Sequence, residues 1–109
     1  MAKQLPPLHP GEVLREEFME PLNLSAGKLA KACLVPRTRI ERIAREEVGM
    51  SGDTAVRLAK LFGTSAEFWL NLQVQFDAET AKRAAAKDLA AIKPLDREAA
   101  RRRPPQHQP

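Results

Sequence analysis

The sequence predicts an all-α fold, on three observations. Apolar residues recur three and four apart instead of alternating, strand-like β-branched and aromatic runs are missing, and Ser, Pro and Gly stand where helices of ordinary length start and stop. Five helices and no sheet follow. At 109 residues the chain has room for one such domain with tails. Residues 1–10 hold three prolines, and the closing stretch PLDREAARRRPPQHQP is rich in Pro, Arg and Gln. We read 1–10 as an N-terminal tail, 11–77 as the folded domain, and 78–109 as a C-terminal helical extension with a disordered tail. Both tails are expected to be flexible.

Helix one, about 11–20, sets Leu14 and Phe18 on an inner face and Glu12, Glu16, Glu17 and Glu20 outside, and Pro21 stops it. Helix two, about 25–33, takes Ser25 as its N-cap and buries Leu29, Ala32 and Cys33. Helix three begins at Pro36, whose fixed φ and missing N–H suit the first helical position, and runs to about Arg45. Ser51 caps helix four, which has Asp53 in its first turn, Ala55, Leu58, Ala59 and Phe62 on one stripe, and Gly63 as its stop. Thr64 with Glu67 forms a capping box for helix five, which continues at least to Phe76 and, through the Ala-rich 78–92, further. Phe68, Trp69, Leu72 and Phe76 fall on its core stripe.

Eighteen Lys and Arg against fourteen Asp and Glu leave a formal charge of +4, which favours polyanionic partners without requiring them. No apolar run approaches the ~20 residues that cross a bilayer, and residues 1–10 lack the apolar stretch of a secretory signal, so a cytoplasmic protein with no membrane partner is expected. One cysteine, Cys33, excludes an internal disulfide and reads as a small core residue. No Cys/His cluster has metal-ligand spacing, and no Ser/His/Asp order, Gly-rich phosphate loop or reasoned carboxylate pair is present. We expect no metal, no small-molecule cofactor and no enzyme activity. His9 and His107 are expected on the surface.

Residues 25–45 have the shape of a helix-turn-helix, two short helices joined by about three residues, the second able to protrude into a major groove. Spacing residues by 100° around helix three puts Pro36, Ile40, Ile43 and Ala44 on a core side. Thr38, Arg42 and Arg45 then point outward, with Arg39 and Glu41 on the shoulders and Arg37 near the first turn. Arginine suits base reading because its planar fork donates two parallel hydrogen bonds to guanine O6 and N7. Charge is also segregated: residues 28–45 hold Lys28, Lys31, Arg37, Arg39, Arg42 and Arg45 against Glu41 alone, while 12–20 hold four Glu against Arg15. Phosphate contacts from the basic end set the register, and the outer face of helix three supplies readout. A solvated face with i,i+4 pairs Arg37–Glu41 and Arg42–Glu46 is the plainer reading.

The stretch HPGEVLREEFMEPLNLSAGKLAKACLVPRTRIERI, followed by GMSGDTAVRLAKLFGTSAEFWLNLQ, resembles the HigA-type antitoxins, a branch of the XRE group of lambda-repressor-like helix-turn-helix proteins. The likeness spans about residues 9–83, and HPGE, LAKA, VPRTRI, DTAVRLAKLFG and FWLNLQ match in order. It implies a homodimer that represses its own operon and neutralises a HigB-type, RelE-like ribonuclease toxin. It places base contacts on Arg37, Thr38 and Arg42 and phosphate contacts on Arg39 and Arg45, with Lys28 beside them in the basic end. Two departures stand out. Leu34 occupies a turn position that is often Gly, which predicts a turn of another shape than one needing positive φ. Glu46 and Glu47 follow helix three where related chains are often basic, which predicts modest affinity or tilted docking.

Leu70 and Val74 lie four apart on a second face of helix five, continued by Ala78 and Ala81; a second apolar stripe predicts a homodimer. Two reading helices about 34 Å apart then match an inverted-repeat operator. The acidic face of helix one, at Glu16 and Glu17, is a landing site for a basic toxin. Two other functions fit the same residues: a stand-alone regulator of this fold with no toxin, or a helical interaction module that has lost DNA binding. An adjacent gene for a small basic protein, and salt-dependent DNA binding, discriminate among them. The run Arg101-Arg102-Arg103 reads as a soluble tail that can add nonspecific DNA affinity.

Overall fold

A computed structural model of the chain describes residues 5–102, so Arg103 and His107 lie outside the described residues. Every regular element within them is helical. α1 opens with an α-helical turn, Pro10–Val13, and continues as a π-helical stretch, Leu14–Met19. α2 is Ala26–Cys33, α3 Arg37–Ala44, α4 Gly52–Phe62 and α5 Ala66–Ala84; short helices α6, Ala86–Ala91, and α7, Arg97–Arg102, follow. The five expected helices are present with their expected order.

Their boundaries differ where a tertiary contact or a local hydrogen bond outweighs the sequence signal. α1 is not a plain α-helix. The Glu20 N–H donates to the carbonyl of Arg15, five residues back, at 2.9 Å, and this wider register puts Met19 as well as Leu14 inside, with Phe18 half-buried between them. In α2 the buried residues are Leu29, Ala30 and Cys33, and Ala32 is exposed. Pro36 is the N-cap of α3 rather than its first residue, because its ψ of 144° is extended. The cap of α5 is Ser65, whose hydroxyl accepts from the Phe68 N–H at 3.0 Å, and Thr64 is used otherwise: its oxygen accepts from the indole N–H of Trp69 at 2.9 Å. The Ser25 and Ser51 caps form as expected, at 3.1 and 3.2 Å.

The turns that follow α1, α2 and α3 each hold a non-glycine residue in the left-handed region: Asn23 (φ 53°), Leu34 (φ 60°) and Glu46 (φ 64°). In each case the next N–H reaches back five residues to a helix carbonyl. Leu24 donates to Met19 at 2.8 Å, Val35 to Ala30 at 3.0 Å and Glu47 to Arg42 at 2.9 Å, the Schellman arrangement that satisfies the last helical carbonyls. The expectation that Leu34 avoids positive φ is therefore overturned. The backbone bonds at the end of α2 outweigh the steric preference of a leucine.

The core is Leu14, Leu29, Ile40, Ile43, Ala55, Leu58 and Trp69, all essentially fully buried, with Phe18 and Phe62 against the Trp69 ring. Phe68 stands 39% exposed at its margin, outside the core stripe expected for it.

His9 is not a surface residue. It is 4% exposed, its Nδ1 accepts from the Gly11 N–H at 2.8 Å, and its ring meets the edge of Phe76 at 4.7 Å. An imidazole acceptor followed by Pro10 at the first helical position makes a compact N-terminal cap for α1, so His9 and Pro10 are built into the fold rather than free in a tail. Gly11 is required by a close approach. A Cβ there would sit 1.8 Å from the carbonyl oxygen of Ile43, so the backbone of α1 lies directly on the last turn of α3. Gly11→Ala must push these two helices apart, and we expect it to lower stability by about 2–4 kcal/mol, read as a drop in the urea midpoint at unchanged m.

Candidate nucleic-acid interface

α2 and α3 pack on each other across a turn, and α3 is oriented by burying Ile40 and Ile43. That burial leaves Arg37, Thr38, Arg42 and Arg45 exposed, with Arg39 half-exposed beside them, and Lys28 exposed in the first turn of α2. The stem of Arg37 passes over Gly27 of α2, with its Cδ 3.4 Å from where a Cβ would stand. The two helices thus present one cationic surface that ends on a hydroxyl-bearing first turn.

The acids near this surface are paired. Arg37 meets Glu41 at 3.4 Å. Arg42 meets Glu47 at 3.8 Å instead of the expected Glu46, because the left-handed turn at Glu46 carries that side chain back to Arg15, 3.3 Å away. Arg15 also donates to the carbonyl of Ala44 at the end of α3. Its neighbour Glu16, and against partial burial also Glu46, hold the Arg15 guanidinium more firmly protonated than usual. Exposed pairs like Arg37–Glu41 and Arg42–Glu47 are worth about 0–1 kcal/mol and yield readily to another anion.

A second network lies behind α3. Arg39 Nη1 meets Asp53 Oδ2 at 2.5 Å, and Arg57 Nε meets the same oxygen at 2.9 Å. Arg57 Nη1 also donates to the carbonyl oxygens of Cys33 and Leu34, at 2.9 and 3.3 Å. Arg39 and then Arg57 hold the Asp53 carboxyl below the usual carboxylate range. Burial pushes the Cys33 thiol up, opposed by the nearby Arg57 charge, which leaves it a packed side chain rather than a nucleophile. Sequence reasoning missed this network. The Asp53–Arg57 spacing of four residues was available as a signal, but the contacts to α3 and to the end of α2 join residues 14 to 24 apart.

Of the second face of α5, Val74 is 63% exposed and Ala78 and Ala81 are exposed, whereas Leu70 is partly buried against the core. Glu16 and Glu17 are both exposed on α1, with Glu16 bonded to Arg15 at 2.9 Å. Among the described residues no cluster of His, Cys, Asp or Glu could hold a metal ion, and no helix is long and apolar enough to cross a membrane.

A short turn between two packed helices, the second carrying its cations outward, defines a DNA-binding helix-turn-helix protein. A helix-turn-helix family model matches residues 16–69. Virulence-associated protein I of Dichelobacter nodosus is 48% identical, over 72% of this chain and 73% of its own. Antitoxin HigA-1 of Vibrio cholerae is 32% identical over 82% of this chain and 84% of its own. The structure of Pseudomonas aeruginosa antitoxin HigA with the higBA promoter superposes with a TM-score of 0.79 at 43% identity, covering 82% of this chain and 98% of that one. The chain belongs to the HigA antitoxin family of XRE-type helix-turn-helix transcription regulators.

Proposed function

We propose that this protein is the antitoxin of a HigBA-type module, which represses its own promoter by binding an inverted-repeat operator as a homodimer and neutralises a RelE-like ribonuclease. The observation that carries the operator reading is the solvent-facing cationic surface of α3, set against a buried Ile40–Ile43 side. Arg37, Thr38 and Arg42 read base edges in the major groove, and Lys28, Arg39 and Arg45 take phosphates. The P. aeruginosa relative at 43% identity, solved with its promoter DNA, supports the same use of the surface here. Glu47 sits beside Arg42 and weakens its pull on the duplex, which keeps affinity modest.

The exposed Val74, Ala78 and Ala81, with the outer edge of Leu70, form the dimer face, and the acidic side of α1 at Glu16 and Glu17 receives the toxin. Pairing two protomers brings two reading helices to half-sites one turn apart, and linked contacts convert weak single-site binding into useful affinity.

Fluorescence anisotropy on DNA from the protein's own promoter tests the operator reading. Wild-type protein is expected to prefer that DNA over random duplex and to weaken steeply with salt, whereas Arg37→Ala/Arg42→Ala loses the preference, at about 1–3 kcal/mol per arginine. Equal binding of both duplexes by the wild type would defeat it. For the dimer, light scattering should show Leu70→Glu/Val74→Glu at half the wild-type mass. For the toxin face, co-purification with the product of the neighbouring gene should be lost in Glu16→Lys/Glu17→Lys; intact capture by that variant moves the toxin to another surface.

A further inference from the structure

One carboxylate and the arginine beside it tie α2, α3 and α4 together. Asp53, in the first turn of α4, receives Arg39 from α3 and Arg57 from one turn further along α4, at 2.5 and 2.9 Å. The far arm of Arg57 ends on the carbonyls of Cys33 and Leu34, at 2.9 and 3.3 Å. These belong to the end of α2 and the first residue of the turn, where a helix leaves carbonyls without intrahelical partners. The turn itself is three residues, Leu34 to Pro36, and Leu34 holds a left-handed conformation (φ 60°) at 82% exposure, with no burial of its own side chain to steady it. A planar guanidinium can join a carboxylate on one edge to carbonyls on the other; an ammonium cannot span both.

The side chains of this network are well exposed, 39% and 52% for Arg39 and Asp53 and 37% for Arg57. Pairs so wet add little to folding stability. What they fix is geometry, namely the angle at which α3 leaves α2 and its lean against α4. A reading helix uses that angle directly, since a small rotation carries Arg37 and Arg42 off their base edges while charge attraction to the phosphates persists.

We propose that Arg57 is a specificity-determining positioning residue, which holds the turn and, through Asp53 and Arg39, the lean of α3, so that operator and random DNA are told apart. The proposal rests on α3 being the operator-reading helix. It predicts that discrimination is lost without loss of phosphate contacts, a signature that a phosphate-contacting arginine does not share, and that a carboxylate which touches no DNA, Asp53, gives when replaced.

The test compares full-length wild type, Arg57→Lys and Asp53→Asn by anisotropy on promoter DNA and on a scrambled duplex of equal length, across about 50–200 mM salt, with melting followed by circular dichroism. Arg57→Lys keeps the charge and loses the fork. It is expected to lower the promoter-to-scrambled affinity ratio about tenfold, the size of one lost base contact, with the salt slope and scrambled-DNA affinity unchanged. Asp53→Asn lowers the same ratio, whatever its charge change does to both affinities in common, and the double variant is no worse than the more affected single one. If Arg57→Lys unfolds early, Asp53→Asn makes the same comparison. An unchanged ratio in the folded variants overturns the proposal, and so does an equal loss on both duplexes with a shallower slope, which makes Arg57 a phosphate contact. A wild type with no promoter preference fails one step earlier, at the operator reading itself.

Discussion

Everything at the interface depends on two isoleucines. α3 has eight residues, too few to hold a helix in water unaided. It exists because Ile40 and Ile43, at 0% and 1% exposure, anchor it among Leu14, Leu29, Leu58 and Trp69. Once that side is committed, helical periodicity sends Thr38, Arg42 and Arg45 the other way. The neighbours then close on the anchored helix: the backbone of α1 at Gly11 touches the Ile43 carbonyl, and Arg15 reaches Ala44. The orientation of the cationic surface is set by the burial of the opposite, hydrophobic side.

Strain is concentrated at the two ends of this same helix. Leu34 precedes α3 and Glu46 follows it, and both occupy the left-handed region at a cost that a glycine would not carry, on the order of 1 kcal/mol each. Asn23, the third such residue, tolerates the conformation better. An arginine from another helix attends each costly end. Arg57 bonds the Leu34 carbonyl, and Arg15 pairs with the Glu46 carboxylate. Local strain persists only where surrounding structure over-determines it, and here the surroundings are the groups that orient the reading helix.

The folded unit is wider than its helix-turn-helix segment. The family match covers residues 16–69, yet His9 caps α1 from before that stretch and meets Phe76, from beyond it, edge-on. Arg83 in the last turn of α5 donates to the carbonyl of Leu5, so the extended part of α5 also holds the start of the described chain. The second face of α5 is presented by a helix tied at several points.

The amino-acid sequence by itself determined the all-helical class, the order of five helices, the Ser25, Ser51 and Gly63 signals, and the outward set Thr38, Arg42 and Arg45. Each of these is local: a cap needs only its own turn, and a helix face needs only the period of 3.6 residues. The tertiary structure decided what depends on residues far apart in the chain. It moved the α5 cap to Ser65 because Trp69 takes Thr64, and it buried His9 because Phe76 covers it. It forced Leu34 into a left-handed turn and redirected Glu46 from Arg42 to Arg15. Asp53 became the meeting point of Arg39 and Arg57 only when α4 came to rest beside α3. Periodicity says which side of a helix faces inward, but the partner that meets each side chain is set by packing, and packing is a property of the whole chain at once.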